Sequence, residues 1–251
     1  MKQNIILWLG TFIIVFLAGY LNNVTSSNYP VSGTIGIEGQ KVSYNFDKKY
    51  YTNTPYPVII RSDIKTDDAY IKWKYSDRNN WNLIKMTQKG DMIYGTLPPF
   101  NVDSHLEYKA AVIKDKKTYE LPSNHVIPLH FAGRVPSTII VLYYLTLFGG
   151  ILLAVRTGLE YFKENGHLRR YSLFTIICFF LYMSVVPVKN TFELDFLTTK
   201  TVPFITSLFD IKSILLFFLS IAGMAFAFKS SQPKPKVLII SCLTLIIFIV
   251  L

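Results

Sequence analysis

The chain has 251 residues, of which 51% are hydrophobic and 17% charged, and its formal net charge is +10. The charges are unevenly spread, which excludes a single soluble globule. Many of the bases (Lys2, Arg156, Lys163, Arg169, Arg170, Lys229, Lys234 and Lys236) flank hydrophobic runs, so the positive charge reads as membrane anchoring and not as nucleic-acid binding.

Behind Lys2, Ile5 to Leu21 forms one apolar run. It is either a signal peptide or an uncleaved transmembrane anchor over residues 1–21. Leu17-Ala18-Gly19-Tyr20 makes a poor small-residue cleavage site and no cysteine supplies a lipoprotein signal, so the anchor is preferred.

From Asn22 to Arg134 the texture changes to short alternating segments cut by turn residues. Strands are predicted over 40–46, 56–61, 69–75, 81–87, 92–97, 106–113 and 118–121. About seven strands in about 100 residues is what a β-sandwich needs, and its bounds are set at 28–134. Within 69–75, alternation puts Tyr70, Lys72 and Lys74 on one face and Ile71, Trp73 and Tyr75 on the other, and the second set is the one to bury.

The series YIKWKY, WNLIKM, KGDMIYGTLPP and LEYKAAVI resembles the second half of a fibronectin type III or immunoglobulin-like sandwich, over roughly residues 56–122. The resemblance implies that Trp73 is the core tryptophan of a central strand. It also implies that Leu97-Pro98 and Tyr108 lie around a tyrosine corner, although the stretch from Leu97 to Tyr108 is longer than the usual corner. Such folds host many functions and assign none.

Chemistry-bearing residues in this region are sparse. His105, His125 and His130 stand singly, without HxH or HExxH spacing. Asp67, Asp68 and Asp77 read as solvated turn residues, and a calcium site from Asp67, Asp68 and Asp103 lacks a DxDxDG loop. Tyr50, Tyr51, Tyr56 and Trp81 lie near loops, where aromatics pack an edge or bind a sugar or peptide. Cys178 and Cys242 sit inside apolar runs, which leaves no disulfide framework and no CxxC metal site. No metal and no cofactor is expected.

Residues 137–251 read as four transmembrane helices, at about 138–155, 171–188, 206–228 and 237–251. The first, TIIVLYYLTLFGGILLAV, carries no charge and spans about 27 Å as a helix, close to the thickness of a bilayer core. Pro136 and Ser137 suit its first turn, and the short linker predicts a sandwich close to the membrane surface. With the anchor, five crossings result. Basic loops at 156–170 and 229–236 belong in the cytoplasm. That puts the N-terminus in the cytoplasm and the sandwich on the extracytoplasmic side, in what reads as a bacterial inner (plasma) membrane.

Two sets of residues stand out in the membrane half. Glu193, Asp195, Asp210 and Lys212 form a polar interface group at the outer end of the spans, where ionisable side chains are suspects for function or serve as helix ends. In a continuous helix Asp210 shares a stripe with Thr206 and Ser213, while Lys212 points elsewhere. Thr146, Gly150 and Ala154, with Gly223 and Ala227, repeat small residues every fourth position, a pattern for close helix packing inside the bundle or against a membrane partner.

The leading functional expectation is a non-enzymatic accessory, scaffold or sensory component of an envelope complex. Its expected partners are membrane lipid and another membrane or envelope protein, with no nucleic acid. Two alternatives stay open: an integral-membrane enzyme or enzyme subunit with a site at the outer membrane interface, and a glycan- or peptide-binding receptor.

Overall fold

Strand alternation and helix hydropathy divide the chain into two kinds of material. The structure, a computed structural model, describes residues 2–102, 104–164, 166–195 and 205–251. These fall into two compact units, Ser27–Arg134 and Met1–Ser26 with Val135–Leu251. Asp103, of the conceivable calcium group, lies outside the described residues.

Among the described residues of the first unit, eleven strands form two sheets. They are β1 (Val31–Ile37), β2 (Gln40–Phe46), β3 (Lys49–Tyr51), β4 (Tyr56–Ser62), β5 (Asp68–Tyr75), β6 (Asn82–Lys85), β7 (Thr87–Lys89), β8 (Met92–Leu97), β9 (His105–Lys114), β10 (Lys117–Leu121) and β11 (Ile127–Ala132). One sheet has the order β1-β2-β4-β8-β7 and the other β3-β11-β9-β5-β6. All pairings are antiparallel except β3 on β11. β10 and β11 occupy successive lengths of one edge of β9, with Leu121 opposite Ala110 and Ile127 opposite Tyr108.

Period-two patterning builds the interior. In β4 the side chains of Tyr56, Val58, Ile60 and Ser62 are buried while Pro57, Ile59 and Arg61 face out. Ile71 is fully buried on β5, and Trp73 and Tyr75 on the same face pack against the core from its margin. Gly95 lets the sheets close, since a Cβ there would sit 2.9 Å from Ile71 and from Met86. Burying one Val, Leu, Ile or Phe is worth about 1.5–3 kcal/mol, against about 0–1 for a surface ion pair, so this interior decides which face each strand turns inward.

The strands differ from the predicted set in two ways. β1, β3 and β11 were not among the predicted strands. β1 hides behind its two glycines, and it reverses into β2 through Glu38 and Gly39, at φ of 52° and 82°, the left-handed pair of a tight hairpin turn. The single strand predicted over 81–87 is two: Met86 turns into the core and donates its N–H to Ala69 O at 2.8 Å, so the chain leaves one sheet at β6 and enters the other at β7.

The second unit holds α1 (Lys2–Thr25), α2 (Ser137–Leu159) with a 3₁₀ turn at Glu160–Phe162, α3 (Leu168–Glu193), a short α4 (Ile205–Leu208), α5 (Ile211–Lys229) and α6 (Pro233–Val250). Among the described residues, five of these helices are long and apolar enough to cross a membrane, yet only 17–33% of each apolar stretch is buried. Phe16, Leu145, Ile211 and Val250 are each at least 65% exposed. A bundle that turns large apolar side chains outward has the surface of an integral membrane protein.

Here too the boundaries move. α2 does not stop before Arg156 but carries it inside the helix. α3 runs through Pro187, where the expected span ended, because a break inside hydrocarbon would leave more backbone groups unpaired than the one bond proline removes. The span expected over 206–228 is interrupted, with Asp210 in extended conformation as the N-cap of α5. The last helix begins earlier than expected, at Pro233, a residue suited to a first turn.

Candidate functional site

A fully buried charged cluster of the helical unit is built around Arg156. Its side chain and that of Glu160, one turn later, are both 0% exposed and stand 2.5 Å apart. Arg156 Nη2 donates to Asn4 Oδ1 of α1 at 2.6 Å. The guanidinium lies beside a pair of aromatic rings in edge-to-face contact, 5.4 Å from Trp8 of α1 and 4.9 Å from Tyr171 of α3. Glu160 Oε2 accepts the backbone N–H of His167 at 2.8 Å. Gly166 is required here, since a Cβ at that position would run into the Glu160 carboxylate. One buried ion pair therefore joins α1, α2, α3 and the connection between the last two.

A loose part remains in this knot. Arg156 Nε is buried without a hydrogen-bond partner among the described residues, and the ion contact of Nη1 with Glu160 Oε1 lacks hydrogen-bond geometry. Sequence reading placed Arg156 at the start of a basic loop and missed this arrangement. The available signal was local: Arg156 and Glu160 are spaced i, i+4 with only Thr157, Gly158 and Leu159 between them, as are Asn4 and Trp8 on α1.

The opposite end of the bundle holds the predicted polar group. Asn190 of α3 is buried and donates from Nδ2 to Asp210 Oδ1 at 3.1 Å and to Leu208 O at 2.9 Å. The Asp210 carbonyl accepts from Ser213 Oγ at 2.7 Å. Asp210 is thus an N-cap tied to α3, and the helix break before it separates it from Thr206. Glu193 pairs with Lys189 at 2.9 Å, and Lys189 lies 5.1 Å from the Tyr143 ring. Asp195 follows the Leu194 C-cap of α3 with a φ of 50°, and its N–H donates to Phe192 O at 3.1 Å. Lys212 sits 4.9 Å from the Phe248 ring of α6. Asp210 thus meets Asn190, Glu193 meets Lys189 and Lys212 meets Phe248, while Asp210 and Lys212 also interact electrostatically.

The small residues mediate contacts within the bundle. A Cβ on Gly150 would meet the Phe179 ring of α3 at 2.6 Å, and Ala154 O accepts from Ser241 Oγ of α6 at 2.7 Å. Thr146 turns its hydroxyl back onto Leu142 O at 2.8 Å. Gly223 faces Ile240, whose Cγ2 would lie 3.3 Å from an added Cβ, and Ala227 is buried with Leu168 and Val237.

In the sandwich, the outward face of the six-stranded sheet is a lattice of charges. Glu120 accepts from Lys72 at 2.8 Å and from Lys109 at 2.6 Å, and Lys74 pairs with Glu107 at 2.9 Å. The two lysines hold the Glu120 carboxyl below the usual carboxylate range. Trp81, 39% exposed, has Lys74 and Lys109 5.5 and 5.3 Å from its ring, and Leu83 beside it is 62% exposed.

Of the other predicted aromatics, Tyr56 belongs to the interior. Its hydroxyl is 2.9 Å from that of Tyr108 and accepts the Asp47 N–H at 2.9 Å, while the Tyr108 hydroxyl donates to Asp47 O at 2.9 Å. Tyr108 therefore bonds the β2–β3 connection and not the corner after Leu97. Burial pushes the Tyr56 hydroxyl up to about 12 and Tyr108 higher still. The Tyr50 ring packs at a tilt against Tyr56, with centroids 4.8 Å apart, and Tyr51 lies under Arg134. Tyr51 and Trp81 start from opposite edges of a sheet, four strand spacings or about 19 Å apart, so they do not form one platform. His105 and His130 stack across β9 and β11 with ring centroids 4.9 Å apart, His125 lies exposed before β11, and Asp68 pairs with Lys85 at 2.6 Å.

No protein-family model matches the chain, and none of the curated proteins does. A solved structure titled "Crystal structure of Br derivative BhCBM56" is similar over 42% of this chain and 95% of its own, at 11% identity and a TM-score of 0.25, too low to carry an argument.

Proposed function

We propose that the chain is an integral membrane protein that presents an immunoglobulin-like or fibronectin-like recognition module on the extracytoplasmic side of a bacterial inner membrane. In this reading it acts as a non-enzymatic accessory, scaffold or sensory component of an envelope complex. The strand order supports the module: β2-β4-β8-β7 against β6-β5-β9-β11 follows the ABED and C′CFG order of such sandwiches, with β3 parallel to the last strand. The basic connections between α2 and α3 and between α5 and α6 support the sidedness.

The observation that carries the reading is the outward face of the six-stranded sheet. Lys72, Lys74, Lys109, Glu107 and Glu120 are committed to one another, and beside them the part-exposed indole of Trp81 and the exposed Leu83 are open to a partner. An aromatic and an aliphatic anchor inside a charged rim is the composition of a protein-binding patch.

The test is affinity purification of the full-length protein in mild detergent, beside Trp81→Ala and Leu83→Asp variants. A co-purifying membrane or envelope protein that is lost from both variants, at unchanged recovery of the bait, is the expected result. The same partners retained by both variants would remove this face from the proposal. For sidedness, a membrane-impermeant maleimide should label Ser104→Cys in intact cells and spare Gln232→Cys.

A further inference from the structure

The connection after α2 and the start of α6 are far apart in sequence but meet in space. Lys234 Nζ donates to Lys163 O at 2.5 Å and to Glu164 O at 3.2 Å. Between them opens a cavity of about 370 Å³ whose lining includes Glu160, Glu164, Leu168, Arg169, Arg170, Ala227 and Lys234. That volume is within the range of small-molecule sites, roughly 300–1,000 Å³.

The electrostatics of this cavity favour an anion. Three cations, Arg169, Arg170 and Lys234, stand on its wall. Of its two carboxylates, Glu160 is already matched by Arg156. Arg169 is held in place from behind: its Nε donates to Ala227 O at 3.4 Å and its guanidinium lies 5.4 Å from the Phe228 ring, which leaves its terminal nitrogens for a ligand. Two helices also begin here; neither N-cap side chain caps its own helix, and at the α3 end the Glu160 carboxylate takes the His167 N–H. Their positive dipole ends add to the field, α3 more than α6, whose Pro233 and Pro235 bring no N–H.

The other lining groups argue for a lipid. Leu168 and Ala227 give the cavity an apolar wall. Tyr161, Phe162 and Phe228, 43%, 61% and 50% exposed, surround the same end of the bundle, as side chains do at the level of headgroups. We propose that this cavity binds the phosphate of an anionic phospholipid headgroup, with Arg169 and Arg170 as its charge partners and Lys234 holding the wall in shape. The inference rests on the membrane reading of the bundle but not on the sandwich or its partner.

The experiment uses the full-length protein in a nonionic detergent and follows thermal stability while short-chain phosphatidylglycerol, short-chain phosphatidylcholine or inorganic phosphate is added. Phosphatidylglycerol should stabilise the protein, and phosphatidylcholine should do so far less. Arg169→Gln and Arg170→Gln should each weaken the phosphatidylglycerol response about fivefold. Lys229→Gln, a charge change off the cavity, should leave it unaltered. Equal weakening by Lys229→Gln, or no preference for the anionic lipid, would overturn the proposal. Saturation by inorganic phosphate alone would overturn the lipid assignment in favour of a free-phosphate site. Resistance of the protein to carbonate extraction from membranes, measured separately, distinguishes failure of this site from failure of the membrane reading.

Discussion

The two units place their polar groups in opposite ways. The sandwich keeps aliphatic and aromatic side chains inside, and its lysines and carboxylates pair with one another on the surface. The helical unit does the reverse: Phe16 and Val250 are more than 70% exposed while Arg156 and Glu160 are 0% exposed. Each inversion follows from its solvent. In water the hydrophobic effect drives apolar groups together, whereas in lipid it is absent and helices recognise one another through close packing and buried polar bonds.

Substitutions inside each unit test this contrast. The largest effect is expected at Arg156→Ala, which strands a buried Glu160 carboxylate and should cost about 3–5 kcal/mol in thermal unfolding of the detergent-solubilised protein. Arg156→Met combined with Glu160→Leu removes both charges and should recover most of that loss. If the double variant is no better than the single one, the pair is not the source of the effect.

The sandwich should respond next, and to alkali. Tyr56 ionises near 10 as a free side chain but near 12 when folded, so the folded state holds its proton more tightly. Stability from this group is complete below pH 10 and is lost as pH rises through 12, by about 2–3 kcal/mol. Alkaline unfolding of the Tyr56→Phe variant, followed by tyrosinate absorbance, should show a smaller decline across the same window. Gly150→Ala drives a methyl into Phe179 and should cost about 1–3 kcal/mol, relieved in part by Phe179→Leu. The smallest effect is expected at Glu120→Gln: its carboxyl is shared by two lysines in water-exposed surroundings, and its loss should change stability by less than about 1 kcal/mol. A larger change there would mean that surface charge holds this sandwich together more than its core does.

How much was readable in advance differs between the units for the same reason. Hydropathy picked out the long apolar helices because lipid imposes a length, and alternation put Ile71, Trp73 and Tyr75 on the inner face of β5 because a sheet has only two faces. For Arg156 only the i, i+4 spacing to its counter-ion Glu160 was legible; its burial was not, because its amide partner and its two aromatic neighbours come from α1 and α3 and meet it only on folding. Met86 hid for a similar reason: a strand that changes sheets looks continuous in one dimension. Asp210 was expected inside a span over 206–228, and both the helix break that makes it an N-cap and the bond from Asn190 that fixes it were illegible, because that bond crosses to another helix.

α1 is clasped at both ends. Asn4 holds Arg156 of α2, and near the other end Asn22 Nδ2 donates to Phe248 O and Thr25 Oγ1 to Ile249 O, both near the end of α6. The first helix thus has its neighbours in the middle and at the far end of the chain, with the whole sandwich inserted between it and α2. During synthesis its last contacts form only after α6 has been made. Assembly of the helical unit is therefore late and long-range, while every strand pairing of the sandwich is complete once Ala132 has emerged.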